Sequence, residues 1–524
     1  MGSVVEYLER SVKDYPGEVA LIESNVALSY GELWARAGAL SRVVARMAGG
    51  EGRRVCISLH NTMDFVVSCL AVAGAGCVPV LVHAASPAEK ISRILEDAGA
   101  SGFIGHSWMV ESLPAPGGDL SFVLTDKPLK PASGACEGGS RSLWRGDLGT
   151  LTEAGQGKFS ASFLPRPGKG DGAAIIYTSG STGFPKGVVL SAGNLDYSTS
   201  VMVDFLGLAH GDRSLVSMPF THCAGLLHLL AMIRCGGSVV TGESPALAGP
   251  FFKAVERKAV TGLPAVPSLA GLFLNRHGDQ VAKRLRGLRW MELSSAPCGP
   301  PLVAALARTL PGVALYNTYG LTEAPRATYC RMENGEAATS VGAPTREVSV
   351  EVLDPDGRSL PPGSTGELVV SGPNVATGYW GRPEEARKRF TERGFMTGDM
   401  GYRDEEGNIH LRGRVDHMVK IGGESVHPLE VERVVATVPG VVDAWVYGED
   451  DPLRGNILRA KVVKGSEALS EKDVLRHCRK SLEGFKVPAS IDFCDEIPRN
   501  GAGKVEKGGQ WPAGADSKVE GVSA

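Results

Sequence analysis

The sequence predicts an α/β protein in which a large N-terminal domain of layered α/β subdomains, with a β-rich subdomain, precedes a small C-terminal α+β domain. Three observations carry that prediction. Helical and strand-like patterns alternate over residues 4 to about 110 and again over 173 to about 310, as they do when helices cover a mostly parallel sheet. Over residues 341 to about 413 the pattern shifts to short strands and turns. After Arg414 comes a compact strand–helix–strand–strand–helix unit, which sets the domains at residues 1–414 and 415–524. A chain of 524 residues has room for this division.

The elements follow in order. Tyr30-Gly31-Glu32-Leu33 opens a helix that runs toward Val44, and residues 54–59 form a short buried strand. Residues 65–82 are an uncharged run close to membrane-span length. Gly74, Gly76 and Pro79 break it into a helix, a turn and a strand, so no membrane span is expected. Residues 86–98 carry a helical period. The stretch 114–171 is rich in Gly, Ser and Pro and reads as loops around one or two strands. Short strands are expected at 348–353, 367–371 and 408–411. In the C-terminal unit, helices are expected at 428–437 and 471–482 and strands at 444–447 and 458–463. The Gly-rich tail after Val505 is expected to fray. No internal repeat is visible.

Composition narrows the function. Hydrophobic residues make up 43% and charged residues 22%, which is globular and supplies a sizeable core. A net charge of −3 argues against a general binder of nucleic acid or anionic membrane. The ten cysteines are scattered, with no pair at zinc-knuckle or redox spacing, so they read as free thiols in a reducing compartment, the cytoplasm. The first twenty residues are charged and amphipathic, unlike a secretory signal. Glu at position 6 argues against myristoylation.

The strongest local feature is a phosphate loop. The apolar strand Ala173-Ala174-Ile175-Ile176-Tyr177 feeds Thr178, Ser179, Gly180, Ser181, Thr182 and Gly183, then Phe184-Pro185-Lys186-Gly187. Glycines let backbone amides approach a phosphate, hydroxyls add donors, and Lys186 places a cation on the leaving pyrophosphate. A Walker loop needs Gly-Lys-Ser/Thr; here the lysine sits between Pro185 and Gly187.

This segment resembles the phosphate-binding signature of the adenylate-forming superfamily, which includes acyl- and aryl-CoA synthetases, nonribosomal-peptide adenylation domains and beetle luciferases. Further signatures follow in the family's order over nearly the whole chain. Met218-Pro219-Phe220-Thr221-His222-Cys223-Ala224-Gly225 resembles the segment lining the acyl pocket, with His222 beside the reacting carboxylate. Ser295, Ala296 and Pro297 look like the turn bordering the adenine and the acyl group. Asn317, Thr318, Tyr319, Gly320, Leu321, Thr322 and Glu323 resemble the adenine and magnesium signature. There Tyr319 would stack on adenine, Thr322 donate to the α-phosphate, and Glu323, with Thr182, hold Mg²⁺. Asp399 resembles the ribose-binding aspartate, with Arg414 reaching the same sugar. Asp416 would be the hinge of a mobile lid, and Lys420, Gly422, Gly423 and Glu424 the loop that swings in for thioester formation. Lys504, in Pro498-Arg499-Asn500-Gly501-Ala502-Gly503-Lys504, resembles the lysine that bridges the substrate carboxylate and the α-phosphate.

The resemblance implies ATP-dependent conversion of a carboxylic acid to an acyl-adenylate, then transfer to a thiol. Attack of a carboxylate on the α-phosphorus brings like charges together; Mg²⁺ and the cations Lys186 and Lys504 offset them. Lid rotation would then exchange the lysine for the glycine loop. Amino-acid-activating domains carry an Asp after the pocket aromatic, whereas Phe220 is followed by Thr221, which disfavours an α-amino acid. Tyr319 to Arg331 and the glycine loop look closest to aryl- and acyl-CoA ligases of the chlorobenzoate type. Pro325 and Arg326 fall at the pocket edge, where Arg326 either pairs with a polar group or second carboxylate of the substrate or faces solvent. The resemblance implies CoA as the thiol, which free-standing members with this glycine loop use, with the arm of a phosphopantetheinyl carrier protein as the alternative. Near Phe485 only Lys486 is basic, with Arg454, Arg476, Arg479 and Lys480 nearby in sequence.

Overall fold

The structure is a computed structural model that describes residues 4–112, 120–128, 144–153, 172–178, 185–296, 298–332, 340–415, 419–421, 424–451, 455–482, 484–499 and 505. Two large sheets dominate it. The first has eight strands in the order Gly378–Tyr379, Lys186–Ser191, Gly172–Thr178, Val78–Leu81, Arg54–Ser58, Gly102–Gly105, Phe122–Thr125 and Trp144–Asp147. From Gly172–Thr178 onward its strands are parallel. The second has nine strands, with five parallel pairings in its middle and antiparallel pairs at both ends.

The helices Tyr30–Ala48, Met63–Gly74 and Cys223–Cys235 share the largest core with inward residues of both sheets. Alternation along the strands explains the layering. Val55 and Ile57 face this core while Cys56 packs with Ile91 and Leu95 on the outer side of the first sheet. In the second sheet Val239 faces the shared core, and Val240 packs under the helices Ala248–Arg257, Pro267–Arg284 and Pro300–Thr309. Near-total burial is why Met63–Gly74 and the strand after it read as one apolar run. No helix among the described residues is long and apolar enough to cross a membrane.

Helix starts obey local chemistry. Ser29 and Glu32 form a reciprocal capping box at the head of Tyr30–Ala48, with Glu32 Oε2 accepting the Ser29 N–H at 2.7 Å. That helix runs one turn beyond the expected end. The expected β-rich region is a five-stranded antiparallel sheet that includes Ser349–Leu353, Gly366–Ser371, Gly394–Arg403 and Ile409–Arg414. The C-terminal unit packs the helices Pro428–Ala436 and Glu471–Ser481 on a sheet of Val441–Asp451, Gly455–Lys464 and Ser490–Cys494 around its own core. Most of 114–171 lies outside the described residues; the strands Phe122–Thr125 and Trp144–Asp147 and the helix Leu148–Glu153 are found there.

Candidate active site

The phosphate-loop strand Gly172–Thr178 delivers Thr178 to the carboxyl edge of the first sheet. Ser179, Gly180, Ser181, Thr182 and Gly183 lie outside the described residues. Lys186 opens the returning strand, and its Nζ lies 2.5 Å from Glu385 Oε2 and 5.4 Å from the Tyr379 ring centroid. The Tyr379 hydroxyl donates to Glu323 Oε1 at 3.1 Å. Tyr379 therefore joins the two residues expected at the phosphates, although they are 137 positions apart in sequence (323 − 186). Glu385 and Tyr379 are site residues that sequence reasoning missed; nothing in their local pattern marks them.

Asn317, Thr318, Tyr319 and Gly320 lie on the strand Ala314–Leu321, which turns through Thr322 and Glu323 into Ala324–Met332. Asn317 and Thr318 are buried. A Cβ at Gly320 would meet the Arg326 nitrogen at 2.6 Å, so the tight hairpin end requires glycine. The Tyr319 hydroxyl donates to Asp399 Oδ2 at 2.7 Å, and Arg414 Nη1 donates to Asp399 Oδ1 at 2.8 Å. The expected ribose carboxylate is thus held from both sides, and Tyr319 orients Asp399 as well as offering a ring. Ser295, in the turn after Trp290–Leu293, has φ 71°, a left-handed conformation that costs a serine energy and marks a constrained turn. Ala296 is half-buried beside it; Pro297 lies outside the described residues.

His222 caps the helix Cys223–Cys235. Asn61, from the other sheet, fixes the segment before it: Nδ2 donates to Val216 O at 3.0 Å and Met218 O at 2.7 Å, and Oδ1 accepts the Phe220 N–H at 2.8 Å. Cys223 is buried, which pushes its thiol up to about 12, and Ala224 is half-buried. A Cβ at Gly225 would sit 2.2 Å from Pro219 O, so the helix starts against its own entry segment. Gly225→Ala is expected to lower stability by about 1–3 kcal/mol, read from the urea midpoint. An unchanged midpoint would refute the close approach.

Arg326 corrects one expectation: it does not face solvent. It is 4% exposed, has φ 56°, and pairs through Nη1 with Glu292 Oε1 at 2.5 Å. Glu292, wholly buried on the strand Trp290–Leu293, also accepts the Tyr329 hydroxyl at 2.9 Å and lies 3.2 Å from His228 Nε2. Burial alone would raise the Glu292 carboxyl, but Arg326 and His228 hold it down at about 2. Burial pushes His228 below the usual histidine range, so it is neutral at pH 7 and the cluster carries no net charge. Among the described residues, Arg326 Nε, Arg326 Nη2 and His228 Nδ1 have no hydrogen-bond partner. Pro325 is buried next to Arg326.

Asp416, Gly422, Gly423 and Lys504, and the side chains of Lys420 and Glu424, lie outside what is described. The strands Val419–Ile421 and Glu424–Val426 on either side of the glycines pair antiparallel. Lys486 is ion-paired with Glu430 at 2.9 Å. Among the described residues no group of three or more His, Cys, Asp or Glu could hold a metal ion. A magnesium ion whose other ligands are phosphate oxygens needs only a carboxylate such as Glu323, which is half-buried at the hairpin end and fits that demand.

Lys186 and Glu323 linked through Tyr379, and Asp399 held by Tyr319 and Arg414, are the charged groups that binding a nucleotide beside a carboxylate requires. Family comparison agrees. The model of the AMP-binding enzymes matches residues 8–380 and that of the AMP-binding enzyme C-terminal domain matches 430–504. The chain belongs to the AMP-binding enzymes. It is similar to a feruloyl-CoA synthase of Amycolatopsis sp (31% identity, 95% of this chain and 96% of that protein). It is also similar to a 2-succinylbenzoate–CoA ligase of Bacillus cereus (strain ZK / E33L), at 30% identity over 87% of each chain. ATP-bound MatB from Rhodopseudomonas palustris superimposes with a TM-score of 0.81 at 27% identity, covering 96% of this chain and 97% of that one. The protein is an AMP-forming acid–thiol ligase that uses ATP, Mg²⁺ and CoA: it forms an acyl-adenylate and pyrophosphate, then an acyl thioester.

Proposed function

We propose that this ligase activates an acid whose far end carries a neutral hydroxyl, such as a phenolic aryl acid, and that CoA rather than a carrier protein is the acceptor. The observation that carries the acid class is the buried Glu292–Arg326–His228 cluster. Its charges already cancel. A second carboxylate would bring an uncompensated charge into it, at a cost of several kcal/mol. A hydroxyl suits it better. His228 Nε2–H donates to Glu292, so Nδ1 carries a lone pair and takes a proton donor, while Arg326 Nη2 offers one. The feruloyl-CoA synthase, named for an acid of this kind, supports the reading, as it supports CoA.

The residue roles follow the motifs. Thr178, Ser179, Gly180, Ser181, Thr182 and Gly183 hold the β- and γ-phosphates, with Lys186 on the leaving pyrophosphate. Lys186 must leave Glu385 to do so. Ser295, Ala296, Pro297 and Tyr319 border adenine, while Asp399 and Arg414 bind ribose. Thr322 and Lys504 meet the α-phosphate, and His222 faces the carboxylate. Magnesium at Glu323 and Thr182 supplies charge neutralisation at the phosphates. Residues 1–414 form the body and 415–524 the lid, with Asp416 as hinge and the Lys420–Glu424 loop admitting the thiol. Nine free cysteines among the described residues support a reducing location, the cytoplasm.

The test is acid-dependent pyrophosphate release with ATP and Mg²⁺, with and without CoA, over matched acids. A para-hydroxy aryl acid is expected to exceed both its unsubstituted and its dicarboxylic analogue at least tenfold in kcat/KM, with CoA raising turnover. Preference for the dicarboxylate sinks the acid assignment. Pyrophosphate release unaffected by CoA sinks the acceptor.

A further inference from the structure

Four neighbouring parallel strands of the first sheet end in a row of titratable side chains. In sheet order they are Val78–Leu81, Arg54–Ser58, Gly102–Gly105 and Phe122–Thr125, and the residues just past their carboxyl ends are His83, His60, His106 and Asp126. On the other side of Val78–Leu81 lies Gly172–Thr178, which leads into the phosphate loop. The row therefore runs outward from the reaction centre along the edge where parallel sheets take their ligands.

The hydrogen bonds fix the tautomers. Asp126 Oδ2 lies 2.8 Å from His106 Nδ1, and Oδ1 accepts the Ser107 N–H at 2.8 Å. Burial would raise the Asp126 carboxyl, but these two donors hold it below the usual range, so it is ionised and His106 Nδ1 carries the proton. The main-chain N–H of His60 points at His106 Nε2 from 3.2 Å, so that nitrogen carries a lone pair. His60 Nδ1, 2.7 Å from the same nitrogen, must then be a donor. What remains on the exposed His60 ring is Nε2 with a lone pair: a base. His83 has the opposite polarity. Its Nδ1 accepts the Ala85 N–H at 3.1 Å, which puts the proton on Nε2. The His83 ring lies 5.4 Å from that of His222.

Adenylation uses neither group, because the acid enters as a carboxylate and needs no base. The acceptor does need one. A thiol is mostly protonated at pH 7, and the thiolate is the nucleophile. We propose that His60 is the general base of the thiol-transfer step, that His106 and Asp126 are positioning residues that hold its tautomer, and that His83 donates a hydrogen bond to the incoming arm. This rests on the ligase reading and on His222 marking the acyl pocket. As the sulfur attacks the acyl carbon, the S–H bond breaks and its proton goes to His60 Nε2. The C–S bond forms, the bond from carbon to the AMP oxygen breaks, and AMP leaves with the electron pair. Asp126 offsets the charge on the His60–His106 pair until water takes the proton from the exposed ring. Burial and His106 lower the His60 pKa while Asp126 raises it, so the base is free at neutral pH. The other charged or titratable groups around the row are Asp64 of the helix Met63–Gly74, Glu23, Arg36 and Lys90.

The experiment separates the half-reactions in the full chain. Pyrophosphate release is measured with ATP, Mg²⁺ and an accepted acid before CoA is present; thioester formation is then started by adding CoA. His60→Ala is expected to slow thioester formation about 100-fold at pH 7, and at least tenfold more than it slows pyrophosphate release. Free imidazole, or pH 9, where the thiol ionises unaided, is expected to restore most of the rate. Asp126→Asn is expected to give a smaller loss of the same kind. A thioester step that falls no further than the first step, or a loss that persists at pH 9 and with imidazole, overturns the proposal. A wild-type chain that releases no pyrophosphate with any acid removes the ligase reading itself, and this inference with it.

Discussion

Glu292→Ala is expected to destabilise the protein by about 3–5 kcal/mol, as a fall in the urea midpoint, because it leaves the Arg326 guanidinium buried without a counter-charge. Glu292 takes three donors, from Arg326, His228 and Tyr329, and has no solvent exposure. Removing it strands all three at once. The cost belongs to the stranded charge and not to the worth of the pair. A double variant, Glu292→Leu with Arg326→Met, is therefore expected to recover most of the loss, since apolar residues of similar volume often replace a buried pair without penalty. A single variant costing under about 1 kcal/mol, or a double variant no better than the single, would refute the buried-charge account. Acid should act in the same direction. The carboxyl sits at about 2 in the folded chain against an ordinary 4.5. Its contribution is thus full above pH 4.5 and is lost as the pH falls toward 2. The stable double variant would also separate fold from selectivity: it should fold and adenylate, yet lose its preference for a hydroxylated acid.

How much of this was legible in the sequence depends on whether a signal is local. The phosphate loop, the hairpin carrying Thr322 and Glu323, and Asp399 and Arg414 each sit in a short motif of their own, and the structure pairs Arg414 and Tyr319 with Asp399. The apolar run at 65–82 was readable because Gly74, Gly76 and Pro79 are local breakers, and the helix Met63–Gly74 ends at the first of them. What stayed hidden is made by strand order. Arg326 and Glu292 lie 34 positions apart and meet only because Trp290–Leu293, Ala314–Leu321 and Ala324–Met332 are consecutive strands. Sequence alone offered Arg326 a substrate or solvent; the carboxylate it meets belongs to the protein. His60, His83, His106 and Asp126 are likewise spaced by crossover helices, so no motif contains two of them. The strand Val19–Glu23 was not singled out either; it pairs locally with Val26–Ser29 and, on its other edge, with Ser238–Thr241 over two hundred positions away.

Lys504→Ala is expected to show the reverse split from His60→Ala. Forming the adenylate brings a carboxylate onto an already anionic α-phosphate, and a cation placed between them is worth most where that charge is concentrated. Losing one such preorganised group costs about 10²–10³ in rate, so acid-dependent pyrophosphate release should fall by that factor. The second step brings no further anion onto the phosphate: the attacking thiol passes its proton to a base, and AMP leaves with the electron pair of the broken C–O bond. Thioester formation from a chemically prepared acyl-adenylate and CoA should therefore keep nearly its full rate in Lys504→Ala. The side chain of Lys504 belongs to a carboxy-terminal motif far from the first sheet in sequence, whereas His60 is fixed to that sheet's edge. If both substitutions slow both steps alike, one rigid arrangement serves the whole reaction and lid rotation is not needed. If the losses fall in opposite half-reactions, the lysine and the histidine act in turn, and the lid must move between them.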